Sequence, residues 1–119
     1  MIIAMSAGLV SGCNSGPVWQ AGGKNHGSAG IEDASVNFGK FAAGFGTIMP
    51  GDQYGATMGF FYCEIPASAT VHWTTANGSK HSVAVKIDQS SAKTFMGVLW
   101  FHINADDTVT TEFEERPYK

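Results

Sequence analysis

The residues of this chain that could do chemistry are four histidines, two cysteines and ten carboxylates, and their spacing limits what that chemistry could be. His26, His72, His81 and His102 stand far apart, and none falls in an HExxH or Cys/His cluster that would seat a metal ion. A Gly-x-Ser-x-Gly elbow for a serine nucleophile is absent. The run Gly39–Gly46 is glycine-rich but lacks the Lys-Ser/Thr pair of a phosphate loop. Carboxylates adjoin at Glu32-Asp33 and Asp106-Asp107, in or beside turns. Neighbours in a strand point to opposite faces, so neither pair makes a glycosidase dyad. His102 alternates with Trp100 and reads as a packed, hydrogen-bonded side chain. Cys63, in the apolar run Phe60-Phe61-Tyr62-Cys63, reads as a buried thiol behaving as a small hydrophobe. The expectation is a protein without catalytic residues, metal or cofactor.

The other cysteine carries a sharper signal. Val10-Ser11-Gly12 runs directly into Cys13, and Met1–Gly12 is uncharged and apolar or small. This resembles the lipobox of bacterial lipoprotein signal peptides, in which small side chains precede the cut and the cysteine sulfur forms a thioether with the lipid. On that reading residues 1–12 are a signal peptide, outside the fold, and Cys13 is lipidated. One departure is the lack of a basic opening, since the first basic residue is Lys24. By resemblance to Gram-negative lipoproteins, Asn14 in place of Asp permits sorting to the periplasmic side of the outer membrane. A Cys13–Cys63 disulfide is the rival reading, and it excludes a thioether on Cys13.

Composition narrows the class of partner. Seven basic residues against ten acidic ones, with no basic cluster, argue against nucleic-acid binding. The only membrane attachment expected is through the N-terminal lipid, because the apolar segment is shorter than the roughly 20 residues of a spanning helix. Residues 13–29 are rich in Gly, Ser and Asn and read as a flexible tether, with Trp19 docking back on the domain. Residues 30–119 then form one domain of about 85–95 residues, near the lower end of what a single core supports.

That domain reads as all-β: a small antiparallel β-sandwich or open barrel of six to seven strands. Candidate strands are Ile31–Phe38, Phe41–Ile48, Thr57–Ile65, Ala69–Thr75, Lys80–Ile87, Lys93–Ile103 and Thr108–Glu115. The clearest hairpin turns around Asn77-Gly78. A three-residue loop, Asn77-Gly78-Ser79, pairs Trp73 with Val83 and Val71 with Val85. One face is then apolar, and His72 and His81 fall on opposite faces. In Lys93–Ile103, Phe95, Leu99, Phe101 and Ile103 point one way and Met96, Val98 and Trp100 the other, so this strand is central or covered on both sides.

The order Asn25-His26, Ile31, Val36-Asn37, a Gly-rich middle, Cys63-x-x-Pro66 and Val71-His72-Trp73 resembles a family of uncharacterised small bacterial envelope lipoproteins. Phe38 stands where that family's pattern has Gly, and Tyr62-Cys63 replaces its paired cysteines. The resemblance covers roughly residues 25–75. It implies a lipid-anchored envelope β-domain. Some relatives are encoded beside type VI secretion effectors, notably lipases, which implies an immunity role.

Half of the acids fall in Asp106–Glu115. One reading is protection of an edge strand from stray pairing; the other is an anionic patch suited to a basic protein. The predicted partner surface is the hairpin Lys93–Glu115, with Trp100 or Phe101 as aromatic anchor and Asp106, Asp107, Glu112 and Glu114 steering a basic effector or hydrolase. The expected function is an envelope immunity protein acting by protein–protein binding. The alternative is a structural or assembly lipoprotein without an enzymatic target.

Overall fold

The computed structural model describes residues 18–51 and 56–116. Among them run β1 (Trp19–Asn25), β2 (Ile31–Asn37), β3 (Ala42–Ile48), β4 (Ala56–Phe61), β5 (Ser68–Thr74), β6 (Lys80–Lys86), the short helix α1 (Gln89–Ala92), β7 (Gly97–Ile103) and β8 (Val109–Glu115). Two four-stranded sheets result, in the orders β4-β1-β7-β8 and β3-β2-β5-β6. All neighbours are antiparallel except β1 and β7. The sheets face each other as a β-sandwich, and one core holds Trp19, Val36, Ile48, Val71, Trp73, Leu99 and Phe101 between them.

β1 corrects the predicted boundaries. It lies inside the stretch read as a tether, yet it is a central strand between β4 and β7. Its sequence, Trp-Gln-Ala-Gly-Gly-Lys-Asn, has no β-branched residue, so strand propensity does not reveal it. Its glycines have another purpose. A Cβ on Gly22 would lie 2.6 Å from the Trp100 ring on the outer face, and one on Gly23 would lie 2.9 Å from the Phe45 ring in the core. Aromatic rings cover the strand from both sides, and only a backbone without side chains admits them so closely.

The β5–β6 register differs from the expected one by two residues. Trp73 pairs with His81 and Val71 with Val83. The loop has three residues as predicted but starts one position earlier, at Ala76-Asn77-Gly78. It is closed by Thr75 N donating to Ser79 O (2.8 Å) and Gly78 N donating to Thr75 O (2.9 Å). Gly78 sits at φ 89°, the left-handed position that ends such a loop. Moving a three-residue loop by one position shifts the partner by two, so every side chain keeps its face. Trp73 is buried and stacks flat on His81, 5.1 Å between centroids. His72 faces away and shares a 2.6 Å hydrogen bond with Ser82 Oγ.

β7 is covered on both faces, as its pattern predicts. Leu99, Phe101 and Ile103 enter the core, while Val98 and Trp100 are buried on the outer face. The strand begins at Gly97, not Lys93, because α1 and its exit occupy the preceding residues.

Candidate functional site

The sandwich has two ends. At the loop end lie the β1–β2 connection and the tips of the β5–β6 and β7–β8 hairpins. At the Trp19 end lie the start of β1, the β2–β3 turn and the end of β4. The polar side chains best placed for recognition are on the outer face of β1, β7 and β8 and run up to the loop end.

One chain of contacts there joins three elements. Glu112 Oε1 is 2.7 Å from His102 Nε2, and His102 Nδ1 is 2.7 Å from His26 Nε2. A carboxylate only accepts, so His102 Nε2–H donates to it. In neutral His102, Nδ1 then keeps its lone pair and accepts from His26. The ring centroids are 4.9 Å apart with planes 23° from parallel, so at this N···N distance the rings meet edge to edge. His26 and His102 are 76 residues apart in sequence, and only the parallel pairing of β1 with β7 brings them together. The predicted packed, hydrogen-bonded role of His102 matches these contacts, whereas its partner His26 carries no local signal. Among the described residues, no group of three or more His, Cys, Asp or Glu is arranged to hold a metal ion.

A second chain lies beside the first. The Trp100 indole N–H donates to Glu114 Oε1 at 2.6 Å, Lys24 Nζ stands 4.5 Å over the Trp100 ring, and Arg116 pairs with Glu114 at 3.2 Å. The indole hydrogen bond, followed by the Arg116 and Lys24 charges, holds the Glu114 carboxyl below its ordinary range against the opposing effect of desolvation. Trp100 is thus roofed by its neighbours and only 6% exposed.

Phe101 is not a surface anchor. It is fully buried between the sheets, because inward-pointing Leu99, Phe101 and Ile103 belong to the core face of β7. Asp106 and Asp107 are exposed at the β7–β8 tip. Asp106 accepts from Thr108 Oγ1 (2.6 Å) and Thr108 N (3.2 Å), and these bonds lower its pKa. Asp107 occupies a left-handed position at φ 66°. Glu112 and Glu114 are placed some distance away, on the sheet face.

At the loop end the three connections surround a cleft of about 170 Å³. Asn25, buried to 2% exposure, shapes one wall. Its Nδ2 donates to Ala29 O (2.8 Å) and Ile48 O (3.0 Å), and its Oδ1 accepts from Gly27 N (2.9 Å). Asn25 therefore fixes the loop that carries His26. The Asn25-His26 pair is visible in the sequence, but nothing local shows what either residue holds.

Cys63 is disulfide-bonded, which corrects the reading of a free buried thiol. The sequence contains one other cysteine, Cys13, which lies outside the described residues together with the whole predicted signal peptide. A sulfur in a disulfide carries no thioether, so pairing within the chain and lipidation of Cys13 exclude each other.

No family model and no curated protein matches this chain. Among solved structures it is similar to the NMR structure of a protein from Eubacterium rectale, with a TM-score of 0.56 and 10% identity over 86% of this chain and 93% of that one. At that identity the likeness concerns the fold alone, a β-sandwich.

Proposed function

We propose that this chain is an envelope protein that works by binding another protein, as an immunity factor neutralising a secreted effector such as a lipase. The observation that carries the reading is where the charge lies. The loop end holds Glu32, Asp33, Asp106 and Asp107 against Lys80, all exposed, and Asp107 lines the cleft there. Beyond it, the acids Glu64, Asp88, Glu112, Glu114 and Glu115 are matched by Lys24, Lys40, Lys86, Lys93 and Arg116. An acidic rim around a concave loop cluster suits a basic protein surface, where charge complementarity speeds association and sets specificity. In this reading Asp106 and Asp107 steer the partner, while Glu112 lies below the rim on the sheet face, bonded to His102. Trp100, predicted as the aromatic anchor, is buried on the outer face of β7 under Lys24 and Glu114 and offers a partner no exposed ring.

The lipobox supports anchoring to the outer membrane through Cys13, and the disulfide at Cys63 supports the other fate for the same sulfur. Both chemistries belong to an oxidising compartment outside the cytoplasm. Peptide mass spectrometry without reduction separates them. An acylated Cys13 peptide establishes the anchor; a Cys13–Cys63 cross-linked peptide leaves an exported domain without one.

Deleting the gene and challenging the strain with effector-armed siblings tests the binding function. The deletion strain is expected to die where its parent survives. In vitro, Asp106→Lys/Asp107→Lys is expected to slow association with the effector about tenfold at low salt, and less at high salt. Equal survival of both strains, with no binding of a neighbouring effector, overturns the immunity reading in favour of a structural envelope protein.

A further inference from the structure

The Trp19 end carries most of the exposed large apolar side chains of the described residues, with Met49 alone at the loop end. Exposed large apolar side chains are uncommon in this domain, and Phe60 (50%), Tyr62 (48%) and Met96 (37%) all stand at this end. Phe60 alternates with Phe61, which packs on the core, and Phe61 pairs with Trp19, whose other neighbour is Gly97. Phe60, Tyr62 and Met96 therefore border the three adjacent strands β4, β1 and β7 at one end of a single sheet. Behind them Trp19, Phe38, Phe41 and Phe61 form a ring cluster with centroid distances of 4.7–6.3 Å. The Trp19 indole N–H donates to Cys63 O at 2.7 Å, which ties β1 to the end of β4.

Two further observations select an occupant. The chain enters the fold here: Cys13 lies six positions before Trp19, a span of at most about 20 Å even when fully extended. In addition, Lys40, Lys86, Lys93 and Arg116 cluster at this end and balance its acids, so the excess negative charge sits at the opposite end. An anionic surface would repel the loop end and leave the Trp19 end facing it.

We propose that Phe60 and Tyr62, with Met96 beside them, rest in the headgroup zone of a phospholipid bilayer, so that the domain docks Trp19-end down and presents its acidic loops away from the membrane. Aromatic side chains settle at that depth because one part of the environment is apolar and the other wet. The proposal rests on the envelope reading above, and its charge argument stands whether or not Cys13 is acylated.

The test uses the chain from residue 13, expressed without residues 1–12 so that it is not acylated and keeps both cysteines, and vesicles of phosphatidylethanolamine and phosphatidylglycerol. This chain is expected to sediment with the vesicles, and Phe60→Ser/Tyr62→Ser to lower the bound fraction about tenfold. Met49→Ser, 51% exposed at the loop end, is expected to change it less than about twofold. Hydrogen exchange on the unsubstituted patch supplies a readout independent of the variant's folding: vesicles are expected to protect residues 60–62 and not 104–108. Absence of vesicle binding, or equal binding by the double variant, overturns the proposal. So does self-association that the double variant abolishes, which would make the patch an interface between two copies. Acylation is read separately on the full chain, so failure of the anchor and failure of the docking are distinguishable.

Discussion

The β5–β6 and β7–β8 hairpins close with the same turn and differ in everything beside it. Both have three-residue loops, Ala76-Asn77-Gly78 and Ala105-Asp106-Asp107. In each, the last loop residue is left-handed, Gly78 at φ 89° and Asp107 at φ 66°. The β5–β6 hairpin alternates: Ala69, Val71 and Trp73 enter the core, and Thr70, His72 and Ser82 face out. The β7–β8 hairpin buries both faces of β7, because β1 and β8 flank it and Lys24 and Glu114 close over Trp100. Turn chemistry thus sets how a hairpin closes, whereas a strand's neighbours set how much of it is buried.

The two buried tryptophans give the largest test of this contrast. Trp73→Ala leaves a cavity inside the sandwich and is expected to cost about 3–5 kcal/mol. Trp100→Ala opens to solvent on the outer face, so it is expected to lose only the transfer part, about 1.5–3 kcal/mol. Denaturant titration of both variants decides it, and equal losses would mean that the outer face is a second closed core. In β5, His72→Ala, on the solvent side, is expected to change stability by less than about 0.5 kcal/mol.

A sharper break is Gly97→Ala at the start of β7. Its Cβ would lie 2.0 Å from the Glu114 carbonyl oxygen, and φ is 153°. A backbone neighbour has no rotamer with which to yield, so overpacking of about 1–3 kcal/mol is expected. Nuclear magnetic resonance should show the disturbance centred on the β7–β8 pairing, with β5–β6 little affected.

At the loops the contrast is small and opposite in sign. Gly78→Ala is expected to destabilise by about 1 kcal/mol, since alanine gains no help in the left-handed region. Asp107→Gly is expected to stabilise by up to about 1 kcal/mol, because glycine meets no Cβ penalty at positive φ. Thermal melts of the two variants should therefore move in opposite directions.

The smallest effect is electrostatic. Glu114 has a lowered folded-state pKa, through the Trp100 hydrogen bond first. Its contribution is present above the ordinary value of 4.5 and is lost as pH falls through the depressed folded value. Glu114→Gln is expected to flatten the acid limb of the stability–pH curve over that window. An unchanged limb would mean that the Trp100–Glu114 contact does not persist in solution.

Much of the fold is written in local patterns. Alternation in Ala69–Thr75 identifies a strand and its inward face. The Asn77-Gly78 signal marks the hairpin, and a register error of two residues leaves the faces intact because side chains alternate with period two. The two-sided apolar run around Leu99–Ile103 announces a central strand before any neighbour is known. The acids at Asp106 and Asp107 are legible as an exposed tip.

Tertiary structure decided the rest, because it depends on partners distant in sequence. Trp19–Asn25 is a strand because Trp100 and Phe45 cover its glycines, not because its residues favour extension. Phe101 and Trp100 are equally apolar neighbours in the chain, and only the second sheet determines which of them is sealed in the core. His26 meets His102 and Glu112 only because β1 lies parallel to β7, and parallel pairing leaves no local turn to read. Composition and periodicity report what each residue prefers, whereas a site is made of residues that the chain has yet to bring together.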